Sequence, residues 1–181
     1  MLRPTLIAFT LASPAFGAGL EIDVAGEANG TIVIDLFEDI APAHVDQITA
    51  LASEGAYDDV VFHRVIDGFM AQTGDVEFGK SSGDLSNAGR GGSALPDLQA
   101  EFSDINYDRG IVGMARAQNP NSANSQFFIM FAEGNFLNGQ YTVVGQVTEG
   151  MEIVDAIKRG DGPNGAVIGP PDVMQAVRVT E

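Results

Sequence analysis

The sequence has no cysteine and only two histidines, His44 and His63. Without cysteine the chain can form neither disulfide bonds nor thiolate metal sites. Two histidines that lie far apart in sequence do not form the pair a metal-dependent hydrolase needs, and no Gly-x-Ser-x-Gly motif provides a hydrolase nucleophile. We therefore expect no metal, no other cofactor and no covalent catalysis.

Basic residues are also scarce. The chain has nine Lys and Arg but 25 Asp and Glu, which gives a formal net charge of −16. A nucleic-acid-binding protein needs a basic face, and so does a protein that adheres to anionic lipid, so both classes are disfavoured. We expect the acidity to keep the protein soluble and monomeric.

The first 18 residues differ from the rest of the chain. Arg3 is their only charge, residues 6–12 are mostly apolar, and residues 13–18 are mostly small. This layout predicts a secretory signal peptide, residues 1–18, cleaved near 17–19, and hence a periplasmic domain at 19–181. The apolar segment is shorter than the roughly 20 residues that span a bilayer, so no membrane span is expected. The alternative is a disordered or strand-forming N-terminus on a cytoplasmic protein.

The remaining chain has the length of one domain and a pattern of short strands. Residues 20–24 alternate apolar and polar, Asn29-Gly30 is a hairpin turn signal, and residues 31–37 form the return strand. Helices are predicted from Pro42 to just before Gly55, with His44 partly exposed, and over residues 150–158. Further strands are predicted at 60–66, 109–117, 125–130, 141–147 and 173–179. The pattern is mainly β and favours an antiparallel barrel or sandwich.

Residues 76–98 are rich in glycine and show little periodicity. Gly89, Gly91 and Gly92 could cradle a phosphate, but no Walker-type lysine and no helix start follow them. A long surface loop is the favoured interpretation.

The segment 62–75 has the most distinctive chemistry. Arg64 is followed by Phe69, Met70 and Gln72, so a fixed cation stands near apolar surface and a neutral amide. In the strand predicted at 125–130, Gln126 and Phe128 share one face. This combination suits an apolar peptide groove better than it suits hydrolysis.

Ordered motifs over residues 20–181 resemble those of the cyclophilin-type peptidyl-prolyl cis–trans isomerases, with bacterial features. These motifs are Gly30-Thr31-Ile32-Val33-Ile34, Ala41-Pro42, Phe62-His63-Arg64-Val65-Ile66, Gly68-Phe69-Met70-Ala71-Gln72, Gly74-Asp75, Met114-Ala115, Ser125-Gln126-Phe127-Phe128-Ile129 and Leu137-Asn138-Gly139. The resemblance implies a closed eight-stranded antiparallel β-barrel capped by two α-helices, with the site on its outer face. It also implies an enzyme that acts on proline-containing polypeptides during folding.

The resemblance assigns roles to individual residues. Arg64 matches the catalytic donor and Gln72 the amide that orients the substrate. Phe69, Met70, Phe128 and Leu137 match the proline pocket, with His63 at its edge, although a packing role for His63 is equally compatible. The positions that bind the substrate backbone and the residues before proline match Ala115, Arg116, Ala117 and Gln126.

Three positions depart from the familiar eukaryotic pattern. Phe136 stands where a Trp is usual, Tyr141 where a His is usual, and Arg116 where an Asn is usual. Losing the indole N–H donor predicts weak cyclosporin binding with isomerase activity retained. The alternative function is a module that grips proline-containing segments, as a chaperone or scaffold, with incidental turnover.

Overall fold

A computed structural model describes residues 17–180 of the chain. The predicted signal peptide therefore lies outside the described residues, except for Gly17 and Ala18. No helix within residues 17–180 is long and apolar enough to cross a membrane.

The fold is mainly β, as predicted, and its strands form one antiparallel sheet. The strands run in the spatial order β3-β9-β1-β2-β8-β6-β7-β5-β4. Their bounds are β1 Gly19–Ala25, β2 Gly30–Leu36, β3 Val60–Val61, β4 Arg64–Ile66, β5 Met70–Thr73, β6 Ile111–Met114, β7 Phe127–Met130, β8 Val143–Glu149 and β9 Val173–Thr180. The predicted hairpin is confirmed, since β1 and β2 pair antiparallel with Val24 opposite Gly30. Its turn is displaced from Asn29-Gly30, because Gly30 is the first residue of β2 and residues 26–29 connect the two strands.

The sheet is curled, and its two edge strands follow each other in the sequence. The edge strands β3 and β4 are separated only by Phe62 and His63. The strand predicted over residues 60–66 is thus divided in two, which gives nine strands where eight were expected. The interruption frees the backbone of both residues for other partners: Phe62 N–H donates to Asp172 O at 2.9 Å, and His63 O accepts from Val167 N–H at 3.0 Å.

The inward-facing side chains form an interior cluster that is sealed from solvent. It takes residues from most strands and from the first helix, with Ile22, Ile32, Phe127 and Ile129 almost fully buried. Because strand side chains alternate between faces, neighbouring residues of β5, β6 and β7 point outward. Together with Tyr107, Leu137 and Val143 of β8, they form a separate outer cluster: Met70, Tyr107, Ile111, Phe128, Met130, Leu137 and Val143.

Two helices lie against the sheet. The helix α1 spans Pro42–Ser53 with Pro in its first turn, and it buries Val45, Ile48 and Ala52 as predicted. The helix α2 spans Met151–Ala156. It is shorter than predicted because Gly150 at its start has a left-handed φ of 84° and Ile157 at its end leaves the helical region, with ψ 131°.

The prediction of a partly exposed His44 is wrong, since its side chain is fully buried. Glu101 reaches the start of α1 from a distant loop, where its carboxylate accepts the N–H groups of Ala43 at 3.2 Å and His44 at 3.1 Å. The same carboxylate lies 2.6 Å from His44 Nδ1. A residue 57 positions away therefore supplies the missing helix cap, and it draws the imidazole inside.

The loop predicted at residues 76–98 is present, with one 3₁₀ turn at Leu85–Asn87. The buried Asp75 ties the start of the loop to its glycine segment. Its carboxylate accepts N–H groups from Glu77 at 3.1 Å, Phe78 at 2.9 Å, Gly89 at 2.7 Å and Gly91 at 3.0 Å. The N–H groups of Gly89 and Gly91 already bind this internal carboxylate, which agrees with the loop interpretation.

Candidate active site

The register of the sheet places four residues in one row on its outer face. Arg64 of β4 is opposite Gln72 of β5, Gln72 is opposite Phe128 of β7, and Phe128 is opposite Gly113 of β6. Residues that face each other across antiparallel strands have neighbouring side chains. Strand pairing therefore brings a cation, an amide and an aromatic ring together from distant parts of the sequence.

A chain of hydrogen bonds fixes the polar half of this row. Arg64 Nη1 donates to Gln72 Oε1 at 3.1 Å, and Gln72 Nε2 donates to Gln126 Oε1 at 2.9 Å. Gln126 Nε2 in turn donates to the carbonyl of Gly91 at 2.7 Å. The amides thus have fixed orientations, and the loop that Asp75 organises is tied to the arginine.

The other side of Arg64 is held by a turn from the end of the chain. Its Nε donates to the carbonyl of Asn164 at 2.9 Å, and its Nη2 donates to Asn164 Oδ1 at 3.1 Å. Asn164 has a left-handed backbone, with φ 56° and ψ 28°, inside the 3₁₀ turn Pro163–Gly165. Burial lowers the pKa of the half-buried Arg64 guanidinium from its usual range, but arginine stays charged at any physiological pH.

Next to Arg64 lies an apolar cavity of about 280 Å³. Its lining residues come from five segments of the chain: Arg64, Phe69, Met70, Gln72, Ala115, Arg116, Phe128, Phe136, Leu137 and Tyr141. Arg64 Nη1 lies 3.9 Å from Met70 Sδ, so the cation stands at the edge of the apolar surface. A cavity of this kind, with few polar groups at one side, is typical of a ligand site.

Phe128 forms the floor of the apolar cavity and is itself held by aromatic rings. Tyr107 stacks under it with ring centroids 5.7 Å apart, and Tyr141 meets it edge-on at 6.0 Å. The stack depends on Gly113, because a Cβ there would lie 2.4 Å from Tyr107 Oη and 2.7 Å from Phe128 Cζ. The absence of a side chain at Gly113 therefore leaves room for the stacked rings of Tyr107 and Phe128.

The rim of the apolar cavity is more exposed than its floor. Phe136 lies in the 3₁₀ turn Asn135–Leu137 and is 64% exposed, while its neighbour Leu137 is buried. The Phe136 ring contacts the ring of Phe69, with centroids 5.4 Å apart. On the opposite rim the guanidinium of Arg116 lies over the ring of Tyr141, 4.3 Å from its centroid.

A second, polar cavity of about 480 Å³ continues from the first. The two cavities share Gln72, Ala115 and Arg116, so they form one groove. The walls of the polar cavity come mainly from the glycine loop and from the segment after β6: Gly89, Arg90, Gly91, Gly92, Ser93, Asp97, Ala117, Ser122, Asn124, Ser125 and Gln126. Ala117 and Gln126, which were predicted as site residues, line only this part.

His63 is the one predicted site residue that lines neither cavity. Its ring lies beneath Gly89, where an added Cβ would come within 2.9 Å of His63 Cδ2. Burial lowers its pKa to about 4, and the charge of Arg64 contributes in the same direction against the opposing effect of Asp75. The placement favours a packing role behind Arg64, the alternative that the sequence had left open.

The comparison with known families identifies this arrangement. A family model described as "Cyclophilin type peptidyl-prolyl cis-trans isomerase/CLD" matches residues 20–179. The chain belongs to this cyclophilin family. The predictions of its family, its fold and its class of enzyme are confirmed.

Individual relatives agree with the family assignment. A "probable peptidyl-prolyl cis-trans isomerase" of Brucella suis biovar 1 is 59% identical over 151 residues, covering 82% of this chain and 77% of the relative. Peptidyl-prolyl cis-trans isomerase B of Escherichia coli K12 is 37% identical over 138 residues, covering 72% and 79% of the two chains. A crystal structure of a Cryptosporidium parvum cyclophilin superposes with a TM-score of 0.76 at 26% identity, covering 90% and 97%.

Two residues of this cyclophilin's site were missed at the level of sequence. Asn164 lies between the helix predicted at 150–158 and the strand predicted at 173–179, and no role was assigned to it. An Asn before Gly readily adopts the left-handed backbone that aims its two acceptors at Arg64. Tyr107 gave no periodic signal because it lies in an irregular segment. Its backbone N–H donates to Asn138 Oδ1 at 2.9 Å, which ties the cavity floor to the turn that carries Phe136 and Leu137.

Proposed function

We propose that this cyclophilin accelerates rotation of X-Pro peptide bonds by a non-covalent mechanism in which Arg64 donates to the prolyl nitrogen. The observation that carries the proposal is the position of the Arg64 guanidinium, which is fixed on two sides at the edge of an apolar cavity. The cavity has the chemistry to take a pyrrolidine ring. The guanidinium at its edge would then lie beside the nitrogen of that ring.

Catalysis of X-Pro rotation requires little more than such a donor beside an apolar cavity. The barrier to rotation is about 18–20 kcal/mol because amide resonance must be broken, and the unaided reaction takes about 10–100 s. As the bond twists, the nitrogen becomes pyramidal and can accept a hydrogen bond that the planar amide cannot. A donor that interacts more strongly with the twisted state than with either planar state lowers the barrier.

The remaining residues divide between the proline and its flanking chain. Phe69, Met70, Phe128, Phe136 and Leu137 would contact the ring, and Tyr141 would support Phe128. Gln72, which bridges Arg64 and Gln126, would orient the peptide carbonyl. Ala115, Arg116, Ala117 and Gln126, which line the polar part of the groove, would hold the residues before proline. We propose proline-containing polypeptides as the substrates of this groove.

An exchange assay on Arg64 variants tests the mechanism. Arg64→Ala should lower kcat/KM for a proline peptide by roughly 10²–10³-fold, the loss that follows removal of one transition-state donor. Arg64→Lys should recover part of the rate, because it keeps the charge but loses the fork. Equal rates for wild type and Arg64→Ala would remove Arg64 from the mechanism. If the wild type binds a proline peptide but does not turn it over, the chain is a binding module.

We further propose that the protein works in the periplasm after removal of a signal peptide. The support is the order of a lone basic residue, an apolar segment and small residues over positions 1–18. N-terminal sequencing of the protein from fractionated cells tests this proposal. A mature chain that begins near residues 17–19 in the periplasmic fraction is expected, and a chain that begins at Met1 in the cytoplasm contradicts it.

We also propose that cyclosporin binds weakly. The support is Phe136 at the rim of the apolar cavity, where a phenyl ring replaces an indole and offers no N–H donor. Phe136→Trp should tighten binding measured by calorimetry. An unchanged affinity in that variant would show that the missing donor is not the cause.

A further inference from the structure

Unpaired positive charge is concentrated in the groove of a strongly acidic protein. Eight of the nine basic residues lie within residues 17–180, and Arg109, Lys158, Arg159 and Arg178 each have a carboxylate within 4.0 Å. The other four in this part of the chain have none: Arg64, Lys80, Arg90 and Arg116. Three of these four line the groove, and Lys80 lies outside it.

The hydrogen bonds of these arginines do not cancel their charge. Arg116 donates to the carbonyls of Gln140 at 2.8 Å and Ala117 at 2.8 Å, and Arg64 donates to amide oxygens. Carbonyl and amide oxygens satisfy N–H donors but carry no net charge. The guanidinium charges therefore remain available to a ligand in the groove.

Acidic residues contribute little to the groove lining. Asp97 is the one carboxylate among the residues that line the two cavities, against Arg64, Arg90 and Arg116. Asp75 is a second carboxylate, buried behind the loop, and the four backbone N–H groups that its oxygens accept leave its negative charge in place. It lies beside Arg90, between whose neighbours Gly89 and Gly91 it is bound, so it offsets part of the positive charge there. At physiological salt the screening length is about 8 Å, so nearby arginines outweigh distant surface carboxylates inside the groove.

Arg116 stands where a bound peptide would pass from one cavity to the other. It lines both cavities, stacks on Tyr141 at the apolar end, and is half-buried. Arg90 lines only the polar cavity and is exposed. A peptide with its proline in the apolar cavity would thus meet one fixed cation close to the proline and a second one further along.

We propose that the groove selects proline segments that carry Asp or Glu in the two positions before the proline, through Arg116 and Arg90. The inference rests on the isomerase function proposed above and on the assignment of the polar cavity to the residues before proline. The substrates would be acidic segments, which the negative charge of the whole protein would otherwise repel. Local charge in the groove opposes the charge of the surface as a whole.

Two peptides of identical composition and zero net charge test the selection. One is acetyl-Glu-Glu-Pro-Ala-Lys-Lys-amide and the other is acetyl-Lys-Lys-Pro-Ala-Glu-Glu-amide. Because their net charges are equal, long-range repulsion by the protein affects them alike. Exposed ion pairs are weak, so we expect about a three- to tenfold higher kcat/KM for the first peptide in two-dimensional exchange NMR, each value taken relative to the uncatalysed rate. The ratio should approach one as salt rises from about 0.05 M to about 0.5 M.

Variants locate the effect. Arg116→Gln and Arg90→Gln should each reduce the ratio of the two kcat/KM values, and the double variant should bring it near one. Asp97→Asn should raise the ratio. Arg178→Gln removes the same single charge from a surface site outside both cavities, where Arg178 binds the carboxylates of Glu21 and Asp23, and it should leave the ratio unchanged.

The outcomes separate this inference from the proposed function. If folded wild-type protein accelerates neither peptide, the isomerase proposal itself is wrong. Equal acceleration of both peptides leaves the isomerase proposal intact and overturns the charge selection. A preference that survives in the Arg116→Gln, Arg90→Gln double variant, or that favours the second peptide, also overturns it.

Discussion

Strands β5, β6 and β7 are buried on both faces, but the two faces are covered differently. On the inner face, Ala71, Val112 and Ile129 join a cluster closed by the rest of the barrel. On the outer face, Met70 and Phe128 are covered mainly by loops and turns, with Tyr107, Leu137 and Tyr141 packed against them.

That difference determines where a ligand site can form. The interior of the curled sheet is packed fully, because any void there forfeits dispersion contacts. Short segments cannot cover a sheet face completely, so a cavity remains beside the Phe128 ring. Stability thus comes mainly from one face of these strands, and the groove comes from the other.

The largest expected effect compares two adjacent residues of β7. Ile129→Ala, on the inner face, should lower the free energy of unfolding by about 2–5 kcal/mol, since it leaves a cavity in a sealed core. The kcat/KM of the molecules that remain folded should not change. Phe128→Ala should also destabilise the protein, but it should lower kcat/KM because it removes the cavity floor.

Urea unfolding and an isomerase assay on the same samples measure both quantities. If the Ile129 and Phe128 variants lose kcat/KM to the same extent, the two faces do not have separate roles in stability and activity.

A smaller effect is expected at His63, which lies where the sheet is interrupted between the core and the groove. Its pKa of about 4 in the folded protein is below the ordinary value of 6.5. The unfolded chain therefore binds the proton more readily, and the stability from neutral His63 is present above pH 6.5 and lost as pH falls towards 4. At about 1.4 kcal/mol per pKa unit, the loss should be roughly 2–3 kcal/mol.

The free energy of unfolding of wild type should fall more steeply between neutral pH and pH 4.5 than that of His63→Gln. Carboxylates titrate in the same range in both proteins, so the difference between the curves isolates the histidine. Parallel curves would mean that His63 is not buried as a neutral ring.

The smallest effect is expected at Asn164, which holds Arg64 from outside the sheet. Asn164→Gly keeps the left-handed backbone and the carbonyl that accepts from Nε, but it removes Oδ1. We expect kcat to fall by about three- to tenfold as the guanidinium gains freedom, with little change in KM.

Asn164→Asp restores an oxygen at the same place and should recover most of the rate. A change in KM alone, or no rescue by Asp, would argue against a positioning role.

The sequence determined most of the strand and helix pattern and the identity of the outer-face residues. The strand β5 was not predicted, and the break at Phe62 and His63 was not foreseen. Alternation at residues 20–24, the Asn29-Gly30 turn signal and the return strand at 31–37 predicted a hairpin that the structure contains, because side-chain period and turn residues are local properties. The turn itself lies at residues 26–29. The motifs around Arg64 and Phe128 were also legible in the sequence, since they are contiguous.

Only the tertiary structure decided how those residues meet. Strand register puts Arg64 beside Gln72 and Phe128, the Asp75 carboxylate folds the glycine loop over His63, and Asn164 reaches Arg64 from 100 positions away. His44 was wrongly predicted to be partly exposed for the same reason, since the contact that buries it comes from the distant Glu101. These contacts join segments distant in sequence, and a local pattern carries no information about which distant carboxylate or amide will lie opposite.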